Sequence, residues 1–502
     1  MTSEKIQDNY QTERNIPMAN AIEGLKPALV WKYFAEISKI PRGSKNEKQI
    51  SGYIVQTARK LGLEAKQDKF MNVVVKKPAS AGREDVAPLC LQGHLDMVCE
   101  KNKDTVHDFE KDPIELVRKG NVMMANGTTL GADNGVAVAT NLAIMEDKSL
   151  AHGPLEFLFT VDEETGLTGA NNLKPGFLES KTLMNLDSEE EGALYVGCSG
   201  GRNTIGTWSI GIQSAPAKTS AAGIHVKGLR GGHSGLEIDK GRGNSIKILA
   251  RVLLALEDLG VRLSSIEGGN KSNAIPREAE AHVYIPTKNA KKAKAVIDNL
   301  NSVIKAELAS VEPDLSITME NVDSKKKGKV IKVPQQKMLL KTIAALPHGV
   351  TKMSADIAGL VETSTNVAII RTEKNKIVLT TSQRSSVASE IDEILQSVAA
   401  TFELGGAKVQ QTEGYPGWKP NLDSKILKVA KSTYQSMTGR EPAVKAIHAG
   451  LECGIIGEKY PGMDMVSFGP TLEGVHSPDE KIYIDTVEKF WNYLLGILRN
   501  VS

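Results

Sequence analysis

The chain has 502 residues, 40% hydrophobic and 24% charged, with a formal net charge of +2; these are ordinary globular proportions, and they exclude a strongly basic nucleic-acid surface. No run nears the roughly 18 apolar residues that span a bilayer, and the polar opening MTSEKIQDNYQTERNIP lacks the apolar core of a signal peptide. Four scattered cysteines, Cys90, Cys99, Cys198 and Cys453, form no C-x-x-C pair, so reduced thiols in a cytoplasmic protein are expected.

Residues 1–26 lack a periodic apolar face and read as a flexible tail, with Met18 as an alternative start. Leu29, Val30, Tyr33, Phe34 and Ile37 recur at helical spacing and predict a helix over 27–39. Ile50, Tyr53, Ile54 and Ala58 predict a second over 46–61. Short apolar runs bounded by polar or turn residues then predict strands at 72–75, 88–92, 155–161, 182–186 and 463–468. Helical patterns lie between several of them, as at 135–146, and two more helices are predicted at 423–437 and 485–500. Strands alternating with helices imply an α/β domain with a mostly parallel sheet.

The middle of the chain, 202–413, reads differently. Strands at 225–228 and 278–285 accompany helices at 245–258 and 290–308, and a similar order recurs at 336–346, 366–370, 377–384 and 387–403. Two related α+β halves within one inserted domain are expected. The KKKGK run within 324–329 reads as a solvated turn.

The ionisable residues fall where these strands end. His94 and Asp96 follow PLCLQG, Glu163 and Glu164 follow LEFLFTVD, and Asp187 follows TLMNL. His476 comes shortly after MDMVSFGP, and Asp133 lies in LGADNG before a helix. In open α/β sheets, sites form outside the carboxyl ends of the strands. Each residue also has an ordinary reading: Asp133 as a helix N-cap, Glu163 and Glu164 as a solvated pair, a lone histidine as structural. The coincidence of so many strand ends favours a metal site. Imidazole and carboxylate suit zinc, manganese or cobalt, and one carboxylate can bridge two cations about 3.5–4 Å apart. Residues i and i+2 of an extended segment share a side, so Asp96 can support the His94 ring.

The segments QGHLDMV, TTLGADNG, DEETG, NLDSEEEG, GGHSG, NAIPREA, HAGLECG and GPTLEGVHSPDE resemble the M20 metallopeptidases. VHDFEKDPI, LDSEEEG and HAGLECG narrow the resemblance to the aminoacyl-histidine dipeptidase branch, also called Xaa-His dipeptidase, cytosol non-specific dipeptidase or peptidase D. It runs from about residue 27 to the C-terminus. The resemblance implies a phosphorylase/hydrolase-like catalytic domain of residues 27–201 with 414–502, and an inserted lid and dimerisation domain of residues 202–413. It implies two divalent ions, zinc first, with manganese or cobalt as alternatives. His94 and Asp187 would hold one ion, Glu164 and His476 the other, and Asp133 would bridge both. Glu163 would be the general base and Asp96 the partner of His94. A cis peptide at Asp133–Asn134 is also implied. His233 is the candidate donor to the oxyanion. Asn273, Arg277 and Arg384 would hold the peptide carboxylate, and His448 and Glu452 would lie near the rim, Glu452 facing the amine.

The activity implied is hydrolysis of dipeptides, including Xaa-His dipeptides, by metal-activated water with a glutamate base, in a cytoplasmic homodimer free of nucleic acid and membrane. A tripeptidase or N-acyl amino-acid deacylase is the enzymatic alternative. A non-catalytic metal-dependent binding protein is the third reading, since fold does not dictate function.

Overall fold

The computed structural model describes residues 21–322 and 328–502. Two compact units divide the chain. The first holds the residues up to Val196 together with Asn421–Lys445 and Ile455–Ser502; the second holds Gly197–Pro420 and Ala446–Gly454.

The first unit is built on an eight-stranded sheet. Its order is Glu64–Gln67, Val73–Lys77, Leu155–Thr160, Leu89–His94, Thr182–Asn185, Asp464–Ser467, Ala193–Cys198 and Ala443–Ile447. The strands Leu155–Thr160, Leu89–His94, Thr182–Asn185 and Asp464–Ser467 run parallel. Pairings outward from them, to Val73–Lys77 and Ala193–Cys198, are antiparallel. Every residue of Leu89–His94 and Leu155–Thr160 is buried. Burial on both faces explains why both read as mostly apolar runs and not as strictly alternating ones. Helix Ala28–Ile37, with Trp31 and Phe34 buried, packs against helix Ala132–Glu146, which itself lies on strand Leu89–His94. Helices Lys425–Thr438 and Ile484–Asn500 pack together. A small sheet pairs Leu472–Glu473 with Lys481–Tyr483, and the loop between them carries His476.

The second unit has a nine-stranded sheet. Eight strands follow in the order Ser316–Asn321, Thr219–Lys227, Ala279–Pro286, Arg262–Gly268, Val361–Glu373, Lys376–Ser385, Gly200–Ser209 and Lys408–Gln411, and Gly349–Met353 pairs with Val361–Glu373. The order is a palindrome. Each half has four strands and two helices, Ser245–Ala255 and Ala290–Glu307 in one, Val333–Ala345 and Ala388–Leu404 in the other. The second half takes its Gly200–Ser209 strand from before the first half in the chain. One apolar core, including Ile224, Leu249, Ile266, Val367, Leu379 and Phe402, serves both.

Three expectations are modified. Of the tail, residues 1–20 and Met18 lie outside the described residues, but Ala21 and Leu25 are buried and Trp31 Nε1 donates to Lys26 O at 3.1 Å. The end of the tail is therefore anchored by packing. Most of the KKKGK run lies outside the described residues; its last residue opens strand Lys329–Ile331, which pairs with Ile212–Ser214. Residues 446–454, expected with the catalytic domain, group with the second unit, because Ser199 N bonds Ile447 O and Ala449 O and Ser364 Oγ meets His448 Nε2 at 2.7 Å.

Candidate active site

The four parallel strands end on one side of the first unit's sheet. His94 is the last residue of its strand; Glu163 and Glu164 follow Leu155–Thr160, and Asp187 follows Thr182–Asn185. Asp133 enters from the start of helix Ala132–Glu146, where the Asp133–Asn134 peptide is cis. Helical dihedrals fail at Asp133 and Asn134. Both Asp133 carboxylate oxygens are placed on imidazoles and not on the amides of the helix that follows.

Asp133 Oδ1 lies 3.0 Å from His94 Nε2, and Oδ2 lies 3.0 Å from His476 Nε2. His94 Nε2 is also 3.4 Å from Asp187 Oδ1, and His476 Nε2 is 3.0 Å from Glu164 Oε2. The five residues expected to bind metal thus meet around one carboxylate, two on each side. The buried Oε1 of Glu164 has no hydrogen-bond partner. Ligand atoms of His94, Asp133 and Glu164 lie within 4.8 Å of one another. This donor set of nitrogen and carboxylate oxygen fits divalent cations of the zinc class.

The electrostatics agree. Burial lowers the His94 pKa, but the carboxylates of Asp187, Asp133 and Asp96 outweigh it and raise it well above the ordinary value. Hydrogen bonds to Asp133 and Glu164 raise His476 to about 11. Burial raises Asp133, but the two imidazoles reverse the shift and hold it far down. Burial and the Asp133 and Glu164 charges lift Asp187 to about 6 against the pull of His94. Carboxylates crowded about two imidazoles make a site whose negative charge divalent ions would neutralise.

Asp96 lies beneath this cluster. Its Oδ1 is 3.4 Å from His94 Nδ1 and accepts from Glu163 N at 3.0 Å. Its Oδ2 accepts from Ser44 Oγ at 2.8 Å and from Glu164 N at 3.2 Å. Burial pushes its pKa up, and the hydrogen bonds from His94 and Glu163 N bring it down to about 2. Asp96 therefore stays ionised, orients the His94 ring and seats the Glu163–Glu164 turn.

Sequence reasoning missed the residues that brace this arrangement. Glu47 is buried and accepts from Asp162 N at 3.0 Å, just before Glu163. Asn134 joins His94 N at 3.2 Å to Leu186 O at 3.0 Å, tying two ligand-bearing strands together. Arg42 and Glu480 are buried beside the Asp133 turn. Nothing in IPRG or SPDEK marks a buried charge; the one signal was the proximity of Glu480 to His476.

The remaining expected residues belong to the second unit. His233 pairs across a two-residue ladder with Ala274. With Asn273 and Arg277 it lines a cavity of about 840 Å³. His233 Nδ1 accepts from Gly235 N at 3.2 Å and Leu236 N at 3.1 Å, which leaves Nε2 to carry the proton. Burial and the Arg384 charge lower its pKa to about 4, so the ring is a neutral donor. Arg384 is buried, and its Nη1 donates to Tyr415 Oη at 2.9 Å. His448, also buried, is pushed to about 3 by burial, then by Arg384 and His233. Arg384 and His448 are not among the residues lining the His233 cavity. Glu452 is buried at the start of helix Glu452–Lys459.

Comparison with known proteins places the chain in a family. The chain is 40% identical over 478 residues to the cytosol non-specific dipeptidase of Escherichia coli strain K12, covering 95% of this chain and 98% of that one. The crystal structure of aminoacylhistidine dipeptidase from Vibrio alginolyticus matches with a TM-score of 0.88 at 42% identity, covering 96% of this chain and 98% of that one. Aminopeptidase PepT from Bacillus cereus shares the fold, with a TM-score of 0.61 at 18% identity over 95% of this chain and 99% of that one. The sequence model of peptidase family M20/M25/M40 matches residues 90–500. The chain, which spans nearly the whole length of these relatives, belongs to peptidase family M20/M25/M40.

Proposed function

We propose that this chain is a metal-dependent dipeptidase that hydrolyses the peptide bond of dipeptides, Xaa-His dipeptides among them. The observation that carries the reading is Asp133, whose two oxygens each lie 3.0 Å from a different imidazole. His94 and Asp187 would hold one divalent ion and Glu164 and His476 a second, with Asp133 shared. Zinc is the favoured ion, and manganese or cobalt would fit the same donors. Bound ions of this class polarise the scissile carbonyl and lower the pKa of water.

The protein's own residues do the rest. Glu163 takes the proton of the attacking water and delivers it to the leaving amine. Asp96 keeps the Glu163 backbone seated. His233, neutral and protonated on Nε2, is suited to donate to a developing oxyanion. Asn273, Arg277, Arg384, His448 and Glu452 are proposed to grip the substrate termini, the guanidinium groups taking the carboxylate. The second unit would act as lid and dimer surface, and the protein would work in the cytoplasm as a homodimer. Almost full-length likeness to two proteins named as dipeptidases supports this choice over a tripeptidase.

The test is release of histidine from carnosine and alanyl-histidine by purified protein supplied with Zn²⁺, Mn²⁺ or Co²⁺, with a tripeptide and an acetylated amino acid for comparison. Turnover of the unblocked dipeptides is expected to dominate. No turnover of either dipeptide with any of the three ions would reject the assignment.

A further inference from the structure

Two buried ionic groups with no part in the proposed chemistry converge on the turn that presents Asp133. We propose that Glu480 and Arg42 are positioning residues that fix the Asp133 carboxylate for metal binding, an inference that rests on the reading of Asp133 as a metal ligand.

Glu480 meets four consecutive amides. Its Oε2 accepts from Leu130 N at 2.8 Å and Gly131 N at 3.0 Å; its Oε1 accepts from Ala132 N at 2.8 Å and Asp133 N at 3.3 Å. These donors lead into helix Ala132–Glu146. They precede the non-helical Asp133–Asn134 step, so no regular helix or strand pairs them, and buried amides need an acceptor. Glu480 supplies that acceptor from a distant part of the chain. It sits in the same loop as His476, between paired strands Leu472–Glu473 and Lys481–Tyr483. One carboxylate thereby sets the spacing between His476 and Asp133.

Arg42 holds the turn by its carbonyl. Its guanidinium donates to Gly131 O, and its Nη1 donates to Leu95 O at 2.9 Å and Asp96 O at 3.1 Å. It therefore ties the end of the His94 strand to the Asp133 turn. The glycines of LGADNG make room for it: a Cβ at Gly131 or at Gly135 would lie 2.6 Å from Arg42 Nη2. Each hydrogen bond of this pair falls on a segment that carries Asp133, His94 or Asp96. The turn that presents Asp133 is thus held through four consecutive amides and the Gly131 carbonyl, and from it the carboxylate meets His94 and His476.

The test is titration of metal-stripped protein with Co²⁺, followed by visible absorption and by elemental analysis after gel filtration. Wild type is compared with Glu480→Gln, Glu480→Asp and Arg42→Lys. Glu480→Gln and Arg42→Lys are each expected to weaken Co²⁺ binding about 10- to 100-fold, the effect usual for groups that orient metal ligands, and to shift the visible bands. Glu480→Asp, which keeps a carboxylate, is expected to recover part of the affinity. If Glu480→Gln fails to fold, Arg42→Lys and Glu480→Asp decide the matter. Variants that match wild type in affinity and spectrum would overturn the positioning role while leaving the metal site intact. A wild type that binds no Co²⁺ would overturn the metal reading itself, and this inference with it.

Discussion

Glu163 and Glu164 are chain neighbours whose amides both rest on Asp96, yet their side chains have different proposed work. Glu164 Oε2 faces His476 Nε2 at 3.0 Å, within the cation-binding cluster. Glu163 is proposed for proton transfer. Replacing it should therefore separate chemistry from metal retention. Glu163→Ala is expected to slow dipeptide hydrolysis by about 10²- to 10⁴-fold with metal content unchanged, as checked by initial rates beside elemental analysis. Loss of metal would reassign Glu163 as a ligand. At this scale the sequence was informative where chemistry coincides with a strand end, as at His94, Glu164 and Asp187. It was silent on Arg42 and Glu47, and for Glu480 offered only nearness to His476, because charged residues look alike in sequence until tertiary packing buries them.

Among the elements, strand Leu89–His94 and helix Ala132–Glu146 decide how closely His94 and Asp133 approach. Gly93 packs tightly between them. A Cβ there would lie 2.5 Å from Asn134 Oδ1 and 2.8 Å from Ala137 Cβ, and Asn134 Oδ1 also accepts from His94 N. Gly93→Ala is expected to cost about 1–3 kcal/mol through overpacking and to loosen metal retention by displacing the helix start. Thermal denaturation and metal content after dialysis check both effects. Strongly patterned elements were legible. The run at 88–92 became Leu89–His94, and the helix expected over 290–308 is Ala290–Glu307. The helix expected from 135 is regular from Gly135 onward, and the non-helical Asp133–Asn134 step stands just before it. Strand Gly200–Ser209 escaped notice: GGRNTIGTWS is largely polar and small, and its strand character comes from pairing with Lys376–Ser385 and Lys408–Gln411.

For the molecule as a whole, acid sensitivity is built into the second unit. His448 is 6% exposed and bonded to Ser364 Oγ at 2.7 Å. Burial first, then the charge of Arg384 and the His233 ring, hold its pKa near about 3, with Asp239 opposing. An unfolded histidine titrates near about 6.5. Between those values the unfolded chain binds a proton that the folded chain refuses, so stability rises with pH across the window. Stability that is complete above about pH 6.5 is then lost as acid is added, at up to about 1.4 kcal/mol per pH unit for this one group. Amide exchange of strand Val361–Glu373, corrected for intrinsic rates, should show faster opening at about pH 5 than at about pH 7.5. His448→Gln should flatten that difference, and an unchanged pH dependence in this variant would rule out His448 as its source.

The mirrored strand order of the second unit has a consequence for how such a protein can change. In an assembly of identical subunits, every substitution is made twice, once in each copy. Here both four-stranded halves lie on one polypeptide, so each can be altered alone. One half already carries the His233 ladder, and the other carries Arg384 at the end of a long strand. Tandem placement within one gene product frees each half to specialise without forcing the same alteration on its counterpart.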